Sequence, residues 1–276
     1  MSRRPVSVPE DVFVVGVAAE TRDTHNVRGP GMSAGKDAFV NFLVDYHGFE
    51  RVAAGDYVKQ EISQVIRAGW PLPDELLKAL GWFKVLKARI ARFFSRNLLF
   101  LNGLSRSQEF ILTAIEIRDL CRQLEGRDPW EKPTDSRMRR LMQIWGTEFR
   151  RFLDPDYWVK LTRQDILWRI EEGSRRFAVS DVRFWNEYFN VEDLCGVNVL
   201  IIRPLDVEFD PTAQMHRSEA ELADAPFREE IINNGTLEDL RQMTAAFVRC
   251  LPAHREYMNS FWQESLSDDA KGSTAA

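Results

Sequence analysis

The residues with the clearest chemical use are Gly29-Pro30-Gly31-Met32-Ser33-Ala34-Gly35-Lys36-Asp37, set between an apolar strand-like segment, Val12 to Ala19, and a helix-like one, Ala38 to Tyr46. A glycine-rich turn that opens a helix gathers backbone N–H groups and the positive helix end around one anion, and a lysine beside them reaches a terminal phosphate. The run reads as a cradle for a triphosphate. It departs from the G-x-x-x-x-G-K-[ST] spacing twice, with Pro30 where the first glycine belongs and Asp37 where a hydroxyl belongs.

A second group, Ser180-Asp181-Val182-Arg183-Phe184-Trp185-Asn186-Glu187, follows an apolar strand-like stretch, Arg176 to Val182. In open α/β sheets ligands sit outside the carboxyl ends of the strands, so Asp181 is placed to hold Mg²⁺ or act as a base near phosphates, with Arg183 facing the same crevice. The plain alternative is an ordinary loop start. A third group is Arg139-Arg140-Leu141-Met142-Gln143-Ile144-Trp145-Gly146-Thr147-Glu148. On a helix Arg139 and Gln143 are four apart and share a face, which lets a guanidinium take a phosphate while an amide reads a base edge. A solvated basic face is the alternative.

The elements that must carry these groups alternate at both ends of the chain. After the first strand come a polar stretch, Glu20 to Arg28, and the glycine-rich run. A strand from Phe49 to Ala53 and a helix from Tyr57 to Ala68 follow. Pro71 and Pro73 open a region of helical spacing over Glu75 to Arg96 and Arg106 to Leu124. Helices resume at Ser136 to Phe152 and Trp158 to Glu172. Then come strand Arg176 to Val182, helix Asn186 to Leu194, strands Asn198 to Ile202 and Glu230 to Asn233, and a helix beginning near Thr236. Strands at both ends around a helical middle predict a parallel sheet carrying a helical insertion.

Composition narrows the functional classes. The chain of 276 residues has room for a full core, and its net charge of -5 gives no global field to hold it on nucleic acid or an anionic membrane. Cys121, Cys195 and Cys250 are far apart and not in metal-ligand spacing, and His25, His47, His216 and His254 form no cluster. No apolar run reaches the roughly 20 residues that span a bilayer. The expectation is a cytoplasmic protein without membrane contact.

Together the three groups resemble the deoxynucleoside monophosphate kinases of phages and bacteria, a branch of the P-loop kinases. The resemblance rests on Gly35-Lys36-Asp37, on Arg139 to Glu148 with Tyr157-Trp158-Val159-Lys160, and on Asp181-Val182-Arg183-Phe184-x-Asn186-Glu187. Arg203-Pro204, His216-x-Ser218-Glu219 and Asn233-Asn234-Gly235-Thr236-Leu237 extend it in the same order. It implies a three-layer α/β P-loop kinase sandwich with a parallel sheet and a helical substrate-binding or lid insertion. The core would comprise residues 1–68 and 174–266, the insertion 69–173 and a disordered tail 267–276.

The activity implied is transfer of the γ-phosphoryl group of ATP, with Mg²⁺, to the 5′-phosphate of a deoxynucleoside monophosphate, in a homodimer. By resemblance Lys36, Asp181, Arg183 and Arg139 are catalytic. Gly31, Ser33, Ala34, Gly35, Lys36, Asp37, Ala38, Arg203, Asn234, Gly235 and Thr236 bind ATP. Arg139, Gln143, Thr147, Arg150, Trp158, Asp181, Arg183 and Glu187 bind the monophosphate, and Asp37 and Asp181 hold the metal. Phosphoryl transfer mainly needs alignment and charge neutralisation, which Lys, Arg and Mg²⁺ supply.

Two departures keep other readings open. Glu20 to Arg28 intervene between the strand and the phosphate loop: either Gly16 is the original turn glycine and the loop carries an insertion, or Gly29 or Gly31 has replaced it. The region around Trp82, Phe83, Phe93, Phe94, Leu98, Leu99 and Phe100, beside Lys84, Lys87, Arg89, Arg92 and Arg96, suits nucleic acid, a membrane surface, or an amphipathic helix packed into the helical subdomain or a dimer partner. Two alternatives therefore stand beside the kinase of free monophosphates. One is a kinase of a modified nucleotide or of a hydroxymethylated base within DNA. The other is a degenerate nucleotide-binding or assembly protein without turnover. His216 is a lid or phosphate contact or an exposed loop residue, and Trp158 closes the substrate pocket or sits in the core.

Overall fold

A computed structural model describes residues 6, 8–25, 27–29, 34–68, 113, 116–130, 136–207 and 221–273. By packing, the chain forms two compact units, Met1–Ala54 with Val159–Ala276, and Gly55–Trp158. The cationic-aromatic region around residues 82–100, and Gly31, Ser33 and His216, lie outside the described residues.

In the first unit β1 (Phe13–Arg22) is the axis of the sheet. Its Val- and Ala-rich run is buried on both faces, as a central strand of a parallel sheet requires. Four further strands, β3 (Glu50–Ala53), β4 (Arg176–Ser180), β5 (Val197–Pro204) and β6 (Glu229–Ile232), complete the parallel order β3-β4-β1-β5-β6. The register places Val15 opposite Ala178 of β4 on one side and Val197 of β5 on the other. The fold is α/β with a five-stranded parallel sheet, consistent with the expected P-loop kinase sandwich.

Helices α1 (Lys36–His47) and α6 (Leu237–Ser273) cover one face. Their Phe39, Val40, Leu43, Leu240, Phe247 and Leu251 join Val15, Val17, Ala178, Val199 and Ile201 in one hydrophobic core. The opposite face carries α5 (Trp185–Asp193). Gly16 belongs to that face: a Cβ there would meet Asn198 Oδ1 at 2.2 Å and Val191 at 2.8 Å. Helix α4 (Tyr157–Glu171), which starts in the second unit, is tied to α5 by Arg163, which donates to Asn190 and pairs with Asp193 at 2.6 Å.

The polar stretch Glu20 to Arg28 is where the structure departs most from the sequence expectation. Glu20 to Arg22 stay in β1, and the chain returns through β2 (Arg28–Gly29), which pairs antiparallel with Thr21 and Arg22. The buried Asp23 closes the hairpin by accepting from the amides of His25 and Val27 at 2.8 and 2.6 Å. Gly16 sits in mid-strand, paired with Val179 and Asn198, so it is not a turn glycine. The final helix runs to Ser273, through residues 267–273 that composition marks as a tail.

In the second unit α2 (Ala54–Ala68) contributes from Gly55 onward, beside a helical stretch over residues 116–123. Helix α3 (Ser136–Gln143) continues through a π-helical segment, Ile144–Arg150, and a last turn, Arg151–Leu153. Sequence periodicity predicts the helix but not the wider turn within it.

Candidate active site

The candidate site of the first unit is built at the switch point of the sheet. β4 and β5 flank β1, and the chain crosses between them, which opens a crevice at the strands' carboxyl ends. Gly35 makes the turn into α1 with φ 95, a left-handed conformation that favours glycine. Among the described residues no side chain caps the helix there, and amides at the start of a helix suit an anion. A Cβ on Gly35 would meet Asn233 Nδ2 at 2.2 Å and Leu240 at 3.3 Å. Asn233 donates from Nδ2 to the carbonyl of Ala34 at 2.9 Å, and its own amide donates to Ile202 at 2.7 Å. The last parallel strand thereby holds the loop from below. Sequence reading reached Asn234 but did not single out Asn233 as the contact.

Lys36 is the first residue of α1, with its side chain 13 % exposed and its ammonium paired with Oδ1 of Asp181. Asp181 follows β4 at φ 66, and its Oδ1 also accepts from Arg183 Nη2 at 3.3 Å. Thus Lys36 and Arg183, which the sequence separates by more than 140 positions, converge on one carboxylate oxygen of Asp181. Glu187 takes the amides of Arg183 and Phe184 on Oε2 at 2.8 and 3.2 Å, fixing the turn that presents Arg183. Asp37 points outward, 91 % exposed and 3.9 Å from the Lys36 ammonium, and Ala38 packs against the core.

Around the start of α6, Arg203 reaches the carbonyl of Gly235 at 3.5 Å. Thr236 and Asp239 cap the helix reciprocally: the amide and hydroxyl of Thr236 donate to Asp239 Oδ2 at 2.7 Å, and the Asp239 amide donates to the Thr236 hydroxyl at 3.2 Å. A Cβ on Gly235 would meet Asp239 Oδ2 at 2.5 Å, so the glycine makes room for that cap.

The second unit carries the other set. Arg139 is exposed on α3, with Gln143 and Thr147 half-buried further along. Arg140, its neighbour, is engaged by Glu116 at 2.9 Å and Glu148 at 2.8 Å. Arg150 is buried; its Nε donates to Glu61 Oε2 at 2.8 Å and its guanidinium lies 4.6 Å from the centre of the Tyr157 ring. Trp158 is 2 % exposed and donates to the Gly146 carbonyl at 2.7 Å.

A family model described as deoxynucleotide monophosphate kinase matches residues 91–244, more than half of the chain. The chain belongs to the deoxynucleotide monophosphate kinase family. No curated protein matches it. The matched range of the kinase holds Arg139, Gln143, Thr147, Arg150, Trp158, Asp181, Arg183, Glu187, Arg203, Asn234, Gly235 and Thr236, while the loop from Gly29 to Ala38 precedes it. The protein is therefore an enzyme, a nucleoside monophosphate kinase acting on a nucleotide substrate. Among the described residues no helix is long and apolar enough to cross a membrane.

The donor set fits magnesium as kinases use it. Among the described residues no three His, Cys, Asp or Glu side chains gather to hold a metal by themselves. Mg²⁺ keeps several waters and takes phosphate oxygens plus one or two carboxylates, a demand that Asp181, beside Lys36, meets.

Proposed function

We propose that this kinase transfers the γ-phosphoryl group of ATP to the 5′-phosphate of a free deoxynucleoside monophosphate, giving the diphosphate. The observation that carries the reading is the convergence of Lys36 and Arg183 on Asp181 beside the glycine turn that opens α1. The α1 amides and the Lys36 ammonium would hold the β- and γ-phosphates, and Arg183 would neutralise charge on the group in flight. Asp181 would hold Mg²⁺, which when bound shields the negative charge of the phosphates. Asp37, being exposed, is the second candidate carboxylate. The attacking phosphate oxygen is already ionised, so no side chain needs to remove a proton.

Arg139, Gln143 and Thr147, spaced by four along one stretch, would take the monophosphate, with Arg150 adding a second guanidinium. Trp158 has spent its single donor on Gly146, which leaves it to shape the wall of that unit. Arg203, Asn234 and Gly235 would meet the donor nucleotide, with Thr236 setting the helix start behind them.

The test is ADP release from ATP and Mg²⁺ with each deoxynucleoside monophosphate in turn, hydroxymethylated ones included, and with duplex DNA carrying hydroxymethylated bases. Turnover with a free monophosphate is expected. Lys36→Ala should lower kcat on the order of 10²–10³-fold with an unchanged circular-dichroism spectrum. Near-normal turnover in that variant, or turnover only on DNA, would sink the reading.

A further inference from the structure

The geometry assigns Glu61 as a positioning residue for the acceptor nucleotide: it orients Arg150, and this rests on the reading above in which Arg150 binds the monophosphate. Glu61 lies on α2, in the same unit, and nothing in its sequence context distinguishes it from a solvated helix residue. Yet its carboxylate collects three donors. Oε2 accepts from Trp145 Nε1 at 2.7 Å and from Arg150 Nε at 2.8 Å, and Oε1 accepts from the hydroxyl of Tyr157.

The π-helical segment makes this convergence possible. At about 100° per residue an α-helix would set Trp145 and Arg150, five positions apart, roughly 140° from each other. The i→i+5 ring of a π-helix stacks them on one side, and both then reach the same oxygen of Glu61. The wide turn is also held where the Gly146 carbonyl accepts from the Trp158 indole. A Cβ on Gly146 would come within 3.3 Å of Val58, so α2 packs closely on this turn.

Folding alone gives little reason for the arrangement. The side chains of Arg150 and Glu61 are 9 % and 16 % exposed, and a buried ion pair is often no more stabilising than apolar residues of the same volume. What the pair achieves is orientation. With Nε held by Glu61 and the guanidinium plane set against Tyr157 and Trp145, at 4.6 and 5.3 Å from the ring centres, the rotamer freedom of Arg150 is largely removed before any ligand arrives. A guanidinium fixed in advance binds a phosphate or base edge at lower entropic cost.

The experiment compares full-length wild type with Glu61→Gln, Tyr157→Phe and Arg150→Lys, measuring kcat, KM for the accepted monophosphate, KM for ATP, and the melting midpoint. Glu61→Gln keeps shape but removes the charge. It should raise the monophosphate KM on the order of tenfold and leave the ATP KM unchanged. Tyr157→Phe, which deletes one donor and keeps the ring, should shift the same constant in the same direction by less. It also keeps the test intact if Glu61→Gln does not fold. If Arg150→Lys raises the monophosphate KM while both other variants leave it unchanged, the positioning role is overturned and the substrate role of Arg150 stands. If Arg150→Lys itself leaves that KM unchanged, the substrate role falls and the positioning role with it. A loss confined to kcat with a lowered melting midpoint in both Glu61→Gln and Tyr157→Phe reports a smaller folded fraction and also overturns the proposal.

Discussion

Asp181 concentrates two demands on one residue. It must supply the carboxylate that Lys36 and Arg183 share, and it must do so at φ 66, where a side chain with a Cβ costs about 1–3 kcal/mol and Asp or Asn bears it best. Asp181→Asn should keep the turn and lose the charge, giving a folded protein with turnover reduced at least on the order of 10²-fold. Asp181→Ala and Asp181→Gly both lose the carboxylate, so their difference isolates the backbone. The alanine variant should be less stable by about 1 kcal/mol, read from urea melts; equal midpoints would mean the positive φ carries no strain. The thiols differ as sharply. Burial pushes Cys121 up to about 11 and raises Cys195 too, with Arg255 opposing that rise, while Cys250 is exposed. A raised pKa leaves less thiolate at pH 8, so a disulfide reagent should modify one thiol rapidly, and Cys250→Ser should abolish that fast phase.

At the scale of elements, what could be read in advance depended on whether an element's purpose shows in residue type. The turn into α1 was legible because glycine followed by lysine marks a tight turn opening a helix, and the structure adds why glycine is needed: φ 95 and the Asn233 amide 2.2 Å from where a Cβ would stand. Gly35→Ala should therefore cost about 1–3 kcal/mol in urea unfolding and weaken ATP binding, since either Asn233 or the loop must shift. Shortening the neighbour as well, in Gly35→Ala with Asn233→Ala, should recover little stability, because the left-handed strain remains and the Ala34 carbonyl loses its donor. Full recovery in the double variant would show that the clash alone mattered. The hairpin over Glu20 to Arg28 was not legible. Its pairing is made by backbone groups and its turn is closed by the Asp23 carboxylate, so its side chains look like an ordinary polar loop. The π-helical segment was hidden for a related reason: one residue of extra winding barely alters hydrophobic spacing, and its consequence is visible only in the partners of Glu61. Resemblance implied that Lys36, Asp181 and Arg183 all face the phosphates; that Lys36 and Arg183 share one oxygen of Asp181 was not legible, because it needs the parallel register of β1 and β4.

For the molecule as a whole, the parallel sheet was readable because strands buried on both faces carry runs of Val, Leu and Ile, as in Val197–Pro204. Charge balance across the fold is less visible in sequence, since it depends on which cations the packing brings together. His47, in the last turn of α1, shows this. Burial lowers its pKa first, and Arg176, Arg241 and Arg249 lower it further. The folded state thus favours neutral imidazole, while the unfolded chain takes up a proton near pH 6.5. Above that pH both states are neutral and the residue does not bias folding. As pH falls through 6.5 the unfolded state binds the extra proton, so stability declines until the folded-state pKa is passed. His47→Gln removes this proton uptake without adding charge. Its melting midpoint should fall less than that of wild type between pH 7.5 and 5.5, because the unfolded chain no longer gains a proton that burial and the arginines keep off the folded state. Parallel declines in the two proteins would show that acid sensitivity in this range comes from other groups and that the arginine cluster leaves His47 unaffected.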